Sequence, residues 1–382
     1  MRILALTNLY PNPLQPERAT HVRLQLRHIA RQHPVAVISP IAWTDELVRR
    51  WRGGVMPPKR RTVVDGIEVE HPRYWYLPLV LRHWTGHFFE WSVRGAFRRA
   101  LREFQPDLVY SPWAYPDGWA AVRLGRRAGV PVVLTVVGSD ILLLPQYPQK
   151  AARTIEALRG AEAIIAVSQD LARRVVQLGA APGKVHVVYD GVEPEVFCPG
   201  PRAAAHRRLG LCGTAPMILF VGNLLPVKGL DYLIEACSLL KADGVDFECV
   251  LIGEGPLRKR LEADVCKRGL AEFVRFLGVV PNQELPDWYR AANVFVLPSR
   301  SEGVPNVLLE AAACHTPFVA SRVGGIPEIA HVGESELVPV GDIQRLARAV
   351  RRYVTEPGAP GPRARPRTRT EGARQVCEVF ER

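Results

Sequence analysis

The 382-residue chain has no Cys-x-x-Cys pair: its seven cysteines stand apart at 198, 212, 237, 249, 266, 314 and 377. Zinc ribbons and fingers are built from such pairs, and no His/Cys/carboxylate cluster replaces them, so we expect no metal site. The odd count without pattern also argues against a disulfide-stapled secreted domain and for a reduced, cytoplasmic chain. Long hydrophobic runs are missing too. The most apolar stretch, VPVVLTVVGSDILLLP (130–145), contains Asp140 and falls short of a membrane span. The opening MRILALTNLYPNP has too short an apolar run for a signal peptide and reads as a first strand. The turn that follows, TNLYPNP (7–13), lacks Gly-x-Gly-x-x-Gly. That absence counts heavily against a dinucleotide-dependent oxidoreductase.

What is present is length and a basic bias. A chain of this size exceeds what one hydrophobic core usually organises, so two domains are expected. Lys plus Arg number 50 against 38 Asp plus Glu, a net +12. Residues 1–195 carry 26 basic and 17 acidic side chains, and the remainder 24 and 21. A basic first half suggests an anionic partner. No nucleic-acid-binding module is visible, so a membrane surface or a phosphorylated substrate is favoured over nucleic acid.

Short Val/Ile/Leu runs alternate with amphipathic stretches along the chain. Strands are expected at 2–7, 35–39, 107–111, 131–136, 162–167 and 185–189, then at 217–222, 248–252, 273–277, 293–297 and 317–320. Unbroken apolar strands between helices mean parallel sheets covered on both faces. The Pro- and Gly-containing segment 191–216 interrupts the rhythm and marks a connection between domains. The expected organisation is a first Rossmann-like domain over 1–195, a second over 196–355, and a mobile basic tail over 356–382. The end of that tail, 373–382, reads either as a short closing helix or as disorder. Ligands of such sheets bind beyond the carboxyl ends of the strands, so a cleft between the domains is the expected site.

Three segments of the second half carry chemistry. In VFVLPSRSEGVPNVLLEAAACHTPFVAS (294–321) a strand runs into a polar loop with Glu302, Gly303 and Pro305, then into a helix bearing Glu310. Open amide groups at such a helix start suit a phosphate. A carboxylate on either side could hold sugar hydroxyls and ribose hydroxyls. In FVGNLLPVKGLDYLIEA (220–236), Gly222 permits close backbone approach and Lys228 can neutralise a diphosphate. VLIGEGPLRKRLE (250–262) repeats strand, glycine turn and helix through Gly253 and Gly255. Singly, each has a plain structural explanation: a capping glutamate, a solvated lysine, a common turn.

In order and together, these segments resemble the family-4 retaining glycosyltransferases of the GT-B type. The resemblance runs over about residues 1–350. It is strongest over 217–330, and PDLVYSPWAYPDGWAAVRLGRRAGVPVVLTVVGSDI (106–141) and AVSQDLARRVVQLGAAPGKVHVVYDGVEPEVF (166–197) look like the same family. The resemblance implies two Rossmann-like domains, an acceptor-side first domain and a nucleotide-sugar-binding second one. It implies that Glu302 hydrogen-bonds the donor sugar and that Gly303, Asn306 and Val307 present amides near sugar and phosphates. Glu310 would hold the ribose, Lys228 the diphosphate, and Leu277–Gly278 the base. Gly222, Asn223 and Gly253 would line the donor site, and Ser139 and Asp140 the acceptor side. The donor would be a UDP-sugar foremost, the acceptor a glycan or lipid-linked intermediate. No cofactor and no metal would be needed, because Lys228 and the helix start would stabilise the leaving diphosphate.

Some positions depart from the family pattern. Asn223 stands where an arginine is common, Val137 where a histidine often precedes the Gly-Ser-Asp turn, and ERATHV (17–22) lacks glycine. They favour, as the alternative, a nucleotide-sugar-binding relative with weak or no transfer. In HFFEWSVRGAFRRALREF (87–104), Phe89, Val93, Ala96, Phe97, Ala100, Leu101 and Phe104 recur at helical spacing, with Arg94, Arg98, Arg99 and Arg102 largely off that stripe. Such a helix either packs its stripe on its own sheet, the favoured expectation, or rests on an anionic membrane as a peripheral anchor.

Overall fold

The computed structural model describes residues 1–51, 53, 60–77, 84–211, 213, 215–330, 335–356 and 366–382. The chain forms two compact units, one of Met1–Tyr189 with Arg369–Arg382, the other of Asp190–Thr368.

The first unit is built on an eight-stranded sheet. Its order across the sheet is Val185–Val187, Ala163–Ala166, Val132–Val136, Leu108–Ser111, Ile3–Leu6, Val35–Ile38, Ile67–Glu70 and Arg61–Val64. All neighbours are parallel except the last two, a hairpin at one edge. The central strands are buried along their whole length, as their unbroken apolar runs require. The hairpin was missed because its strands alternate, with Ile67 and Val69 inward and Arg61 and Glu68 outward. A pair of two-residue strands, Ile41–Ala42 and Arg73–Tyr74, forms a separate parallel ribbon.

The second unit has six parallel strands in the order Val274–Gly278, Glu248–Ile252, Met217–Val221, Val294–Leu297, Phe318–Ser321 and Ser335–Val338. The first strand in sequence lies in the middle. Connections run one way from it and then the other, so the order reverses between Met217–Val221 and Val294–Leu297. The helices expected after the two glycine turns and after the Glu302 loop are found at Leu230–Ala242, Arg258–Lys267 and Asn306–Ala313.

Of the two alternatives for the end of the chain, the closing helix is the one found, and it begins earlier than 373. Arg369–Phe380 is a helix of the first unit, not a tail. Ala373, Val376, Cys377 and Phe380 recur at i, i+3, i+4 and i+7, and all four are buried. The helix packs on Thr20–Ile29, and the Phe380 ring meets Tyr110 edge-on at 5.3 Å. The Pro/Arg-rich stretch 357–365, also read as mobile, lies outside the described residues.

Candidate functional site

Where the order of a parallel sheet reverses, the two flanking strands send their connections to opposite faces and leave a crevice at their carboxyl ends. In the second unit the loops at that point are 222–229 and 298–305. The first holds Lys228 in a single tight turn, Pro226–Lys228, before helix Leu230–Ala242. The second holds Glu302.

The two loops are stitched together. Arg300 donates its backbone N–H to the Val227 carbonyl at 2.7 Å and a guanidinium N–H to the Pro226 carbonyl at 2.7 Å. It also makes a bidentate pair with Asp231 (2.9 and 2.6 Å) and lies 4.2 Å over the Tyr232 ring. Burial works against the Asp231 charge, but Arg300 outweighs it and holds the carboxyl below its ordinary range. Gly229 has φ +64°, and a Cβ there would lie 2.1 Å from the Pro298 carbonyl oxygen. Only glycine allows both the conformation and this approach.

Lys228 and Glu302, read from the sequence as serving different parts of a ligand, are thereby brought together. Lys228 Nζ donates to Glu302 Oε1 at 2.6 Å, and Ser299 Oγ donates to the same oxygen at 2.6 Å. Their side chains are 20% and 11% exposed, enough to be reached yet shielded from bulk water. Glu302 is anchored from behind. A Cβ on Gly324 would lie 1.8 Å from the Glu302 carbonyl oxygen, and Gly325 N–H donates to the Gly303 carbonyl. Ser299, Arg300 and Gly324 were not singled out from sequence. Ser299 and Arg300 sit in a polar loop where such residues are common, while the Val-Gly-Gly motif at 323–325 was a usable signal.

Helix Asn306–Ala313 starts at Pro305, whose extended backbone (ψ 117°) fits a helix entry, and no side chain caps it. Its first amides, on Asn306 and Val307, are those a helix leaves without an internal partner. Glu310 lies one turn further and accepts from the Tyr289 hydroxyl at 2.9 Å. Burial first, then the Glu310 charge, push the Tyr289 hydroxyl well above its ordinary range, so it remains a donor. Glu302 and Glu310 therefore have separate partners and are not a side-by-side acid pair.

The glycine turns pack backbone on backbone. A Cβ on Gly253 would fall 2.0 Å from the Gly222 carbonyl oxygen, and Gly253 N–H donates to the Gly278 carbonyl at 2.7 Å. This brings Gly222, Gly253 and Gly278 together at the strand ends, with Leu277 half-buried beside them. The Asn223 side chain is exposed.

In the first unit the Gly-Ser-Asp turn is ordered by its own aspartate. Asp140 is buried, with Oδ1 accepting from Gly138 (2.9 Å) and Val137 (3.2 Å) and Oδ2 from Ala114 (3.3 Å). Burial, opposed by those amides, raises its pKa to about 6. Asp140 thus shapes the turn from inside, while Ser139 is exposed. Asp117 escaped the sequence reading because YPDG has the composition of a surface turn. It is fully buried at the reversal point of this sheet, accepting from Asn8 N–H (2.7 Å) and Thr7 Oγ1 (3.0 Å), and its Oδ1 has no partner. Burial raises its pKa to about 7 against those two bonds. Among the described residues no three His, Cys, Asp or Glu side chains gather as a metal-binding group would.

Comparison with known proteins follows the same division. Residues 19–196 match Glycosyltransferase Family 4, and residues 215–356 match Glycosyl transferases group 1. A D-inositol 3-phosphate glycosyltransferase of Streptosporangium roseum is 35% identical over 309 residues, covering 72% of this chain and 71% of that protein. D-inositol 3-phosphate glycosyltransferase 1 of Catenulispora acidiphila is 33% identical over 291 residues, with 69% and 70% covered. Among solved structures, Anabaena Alr3699/HepE in complex with UDP and glucose matches with a TM-score of 0.77 at 19% identity, covering 100% of this chain and 99% of that one. The chain belongs to the family-4 glycosyltransferases and has their GT-B fold.

Proposed function

We propose that this glycosyltransferase moves a sugar from a nucleotide-sugar, foremost a UDP-sugar, to a glycan or lipid-linked acceptor, retaining the anomeric configuration and using neither metal nor cofactor. The observation that carries the reading is the Lys228–Glu302 pair beside the uncapped start of helix Asn306–Ala313. Breaking a glycosyl–diphosphate bond develops positive charge at the anomeric carbon and negative charge on the leaving oxygen. A carboxylate beside an ammonium and a set of amides answers both, and preorganised donors of this kind contribute about 3–4 kcal/mol each to such a step.

In this reading Glu302 accepts hydroxyls of the donor sugar and faces the developing positive centre. Lys228 and the amides of Gly303, Asn306 and Val307 take the phosphates. Glu310 takes the ribose, and the turns at Gly222, Asn223, Gly253 and Leu277–Gly278 form the nucleoside side. The UDP and glucose bound by the Anabaena structure support the donor class. The first unit, through Ser139 and the turn that Asp140 shapes, takes the acceptor. The basic charge of residues 1–195 supports an anionic or membrane-borne acceptor met at the cytoplasmic face.

The test is transfer from radiolabelled UDP-sugars, with GDP- and ADP-sugars alongside, to lipid-linked glycan primers and to D-inositol 3-phosphate. Product with the donor's anomeric configuration, formed equally with and without EDTA, is expected. Loss of transfer on EDTA, restored by magnesium, overturns the metal-independent reading. Tight UDP-sugar binding with no turnover on any acceptor establishes instead the non-transferring relative that Asn223 and Val137 suggest.

A further inference from the structure

The helix Trp43–Trp51 is built inside out. A helix on a protein surface ordinarily turns its apolar side chains to the core and its charges to water. Here Glu46 is buried, paired with Arg60 and, at 2.7 Å, with Arg73. Leu47, Val48 and Trp51 point outward, and Trp51 is 87% exposed. Helix Thr85–Glu103 repeats the arrangement. Its apolar stripe of Phe89, Val93, Ala96 and Phe97 packs inward, as favoured from sequence, but Glu90 is buried with it, held by Arg123 at 2.8 Å and by Arg127. The outward stripe carries Trp91, 63% exposed, with Arg94 and Arg98 at helical spacing and Trp84 a turn or two before.

The two outward faces are continuous. The Trp75 backbone N–H donates to Ser92 Oγ, next to Trp91, and the Trp75 ring stacks on Trp43 at 6.1 Å. Trp43, Leu47 and Trp51 then follow at i, i+4 and i+8. Arg73 lies 5.2 Å over the Trp75 ring. Of the twelve large apolar side chains exposed among the described residues, eight fall between 43 and 91. Four of the protein's eight tryptophans, 51, 75, 84 and 91, are among them. Residues 43–103 carry twelve Lys or Arg against seven Asp or Glu, and two of those acids are the buried Glu46 and Glu90.

We propose that this face, made by helix Trp43–Trp51, residues 75–77 and the outer side of helix Thr85–Glu103, docks on an anionic lipid bilayer. Tryptophan prefers the headgroup level, where its ring is apolar and its N–H remains wet, and arginine there meets lipid phosphates. Turning both glutamates inward removes the charges that an anionic surface would repel. Among the described residues no helix is long and apolar enough to cross a membrane; the docking proposed is by a surface, as for interfacial helices. The same elements line a cavity of about 580 Å³ in the first unit, through Ala42, Asp45, Tyr76 and Leu77 on one side and Asn8, Asn12 and Arg18 on another. Docking would set that polar cavity beside lipid headgroups. The proposal gives the membrane-borne acceptor of the preceding section its place of delivery, and rests on that reading only for its purpose.

The experiment is flotation of the full chain with vesicles of phosphatidylcholine alone and of phosphatidylcholine with one-third phosphatidylglycerol, with neither donor nor acceptor present. Binding is expected only to the second, with a blue shift of tryptophan emission. Trp51→Ser with Trp91→Ser should reduce the bound fraction at least roughly fivefold, as should Arg94→Glu with Arg98→Glu. Val279→Ser, an exposed position of the second unit, should leave it unchanged, and equal melting temperatures across variants show that folding is intact. Absence of binding to phosphatidylglycerol vesicles overturns the proposal. So does binding that survives the tryptophan pair, or lipid-free self-association in sedimentation that the pair abolishes, since the face then belongs to a protein partner. Because vesicle binding is read without turnover, its failure and the failure of the transferase reading are separate results.

Discussion

Lys228 Nζ and Glu302 Oε1 are 2.6 Å apart, so in the free protein the ammonium already has a carboxylate for a partner. If Lys228 takes the diphosphate, as proposed, the ligand must share that ammonium with Glu302, and the carboxylate would then stay beside the bond to be broken. The two side chains should then fail differently. Glu302→Gln should lower turnover by roughly 100-fold or more while nucleoside diphosphate affinity stays nearly intact. Lys228→Ala should weaken nucleoside diphosphate binding by about 1.5–3 kcal/mol, the range for a charged hydrogen bond. Calorimetry with donor and with bare diphosphate separates them. Equal losses for both ligands in Glu302→Gln would place that residue on the wrong side of the phosphate.

Glu310 and Tyr289 give a second contrast. The buried Tyr289 hydroxyl fixes one oxygen of Glu310, which orients the carboxylate. If that carboxylate holds ribose, Glu310→Gln should erase most of the preference for UDP over 2′-deoxy-UDP. Tyr289→Phe should shrink the same preference and destabilise the fold by only about 0.5–1.5 kcal/mol. An unchanged UDP to deoxy-UDP ratio in both variants would remove the ribose role.

The parallel strands and the Glu302-to-Glu310 loop and helix were legible because apolar runs and glycine turns act locally. What could not be read was long-range pairing. Nothing near Lys228 in sequence says that its partner lies 74 residues on. Asp117, Glu46 and Glu90 gave no signal in the sequence, because their burial is decided by elements far along the chain. The closing helix was legible only as one of two alternatives, because its apolar spacing pointed to a helix while its Pro- and Arg-rich approach pointed to disorder.

Gly229 tests whether the stitched loops position the site. Alanine there meets the Pro298 carbonyl oxygen at 2.1 Å in addition to the strain of φ +64°. Gly210 has the same φ with open space around it. Gly210→Ala should therefore cost about 1 kcal/mol or less, and Gly229→Ala about 2–4 kcal/mol together with weaker diphosphate binding. Urea unfolding of both variants measures the difference. Similar losses would mean that the contact relaxes easily and does not set the position of Lys228.

The last prediction concerns pH. Asp117 is an ordinary carboxyl near 3.8 when unfolded and is raised to about 7 when folded, chiefly by burial. Between those values the folded state binds the extra proton. The favourable contribution of the protonated carboxyl is complete below the unfolded value and is lost as pH rises through about 7. Asp117→Asn keeps an oxygen to accept from Asn8 and Thr7 and has no charge to bury. The variant should therefore gain on the parent protein as pH rises from 4 to 8, by up to on the order of 3–4 kcal/mol. Asp140, raised in the same direction, is present in both proteins and drops out of the difference. Urea unfolding of the pair at pH 4, 6 and 8 measures the trend. A stability difference that does not change with pH would mean that Asp117 stays ionised in the folded protein, its charge met by Arg18 or by water, and that its partnerless oxygen is not a buried proton site.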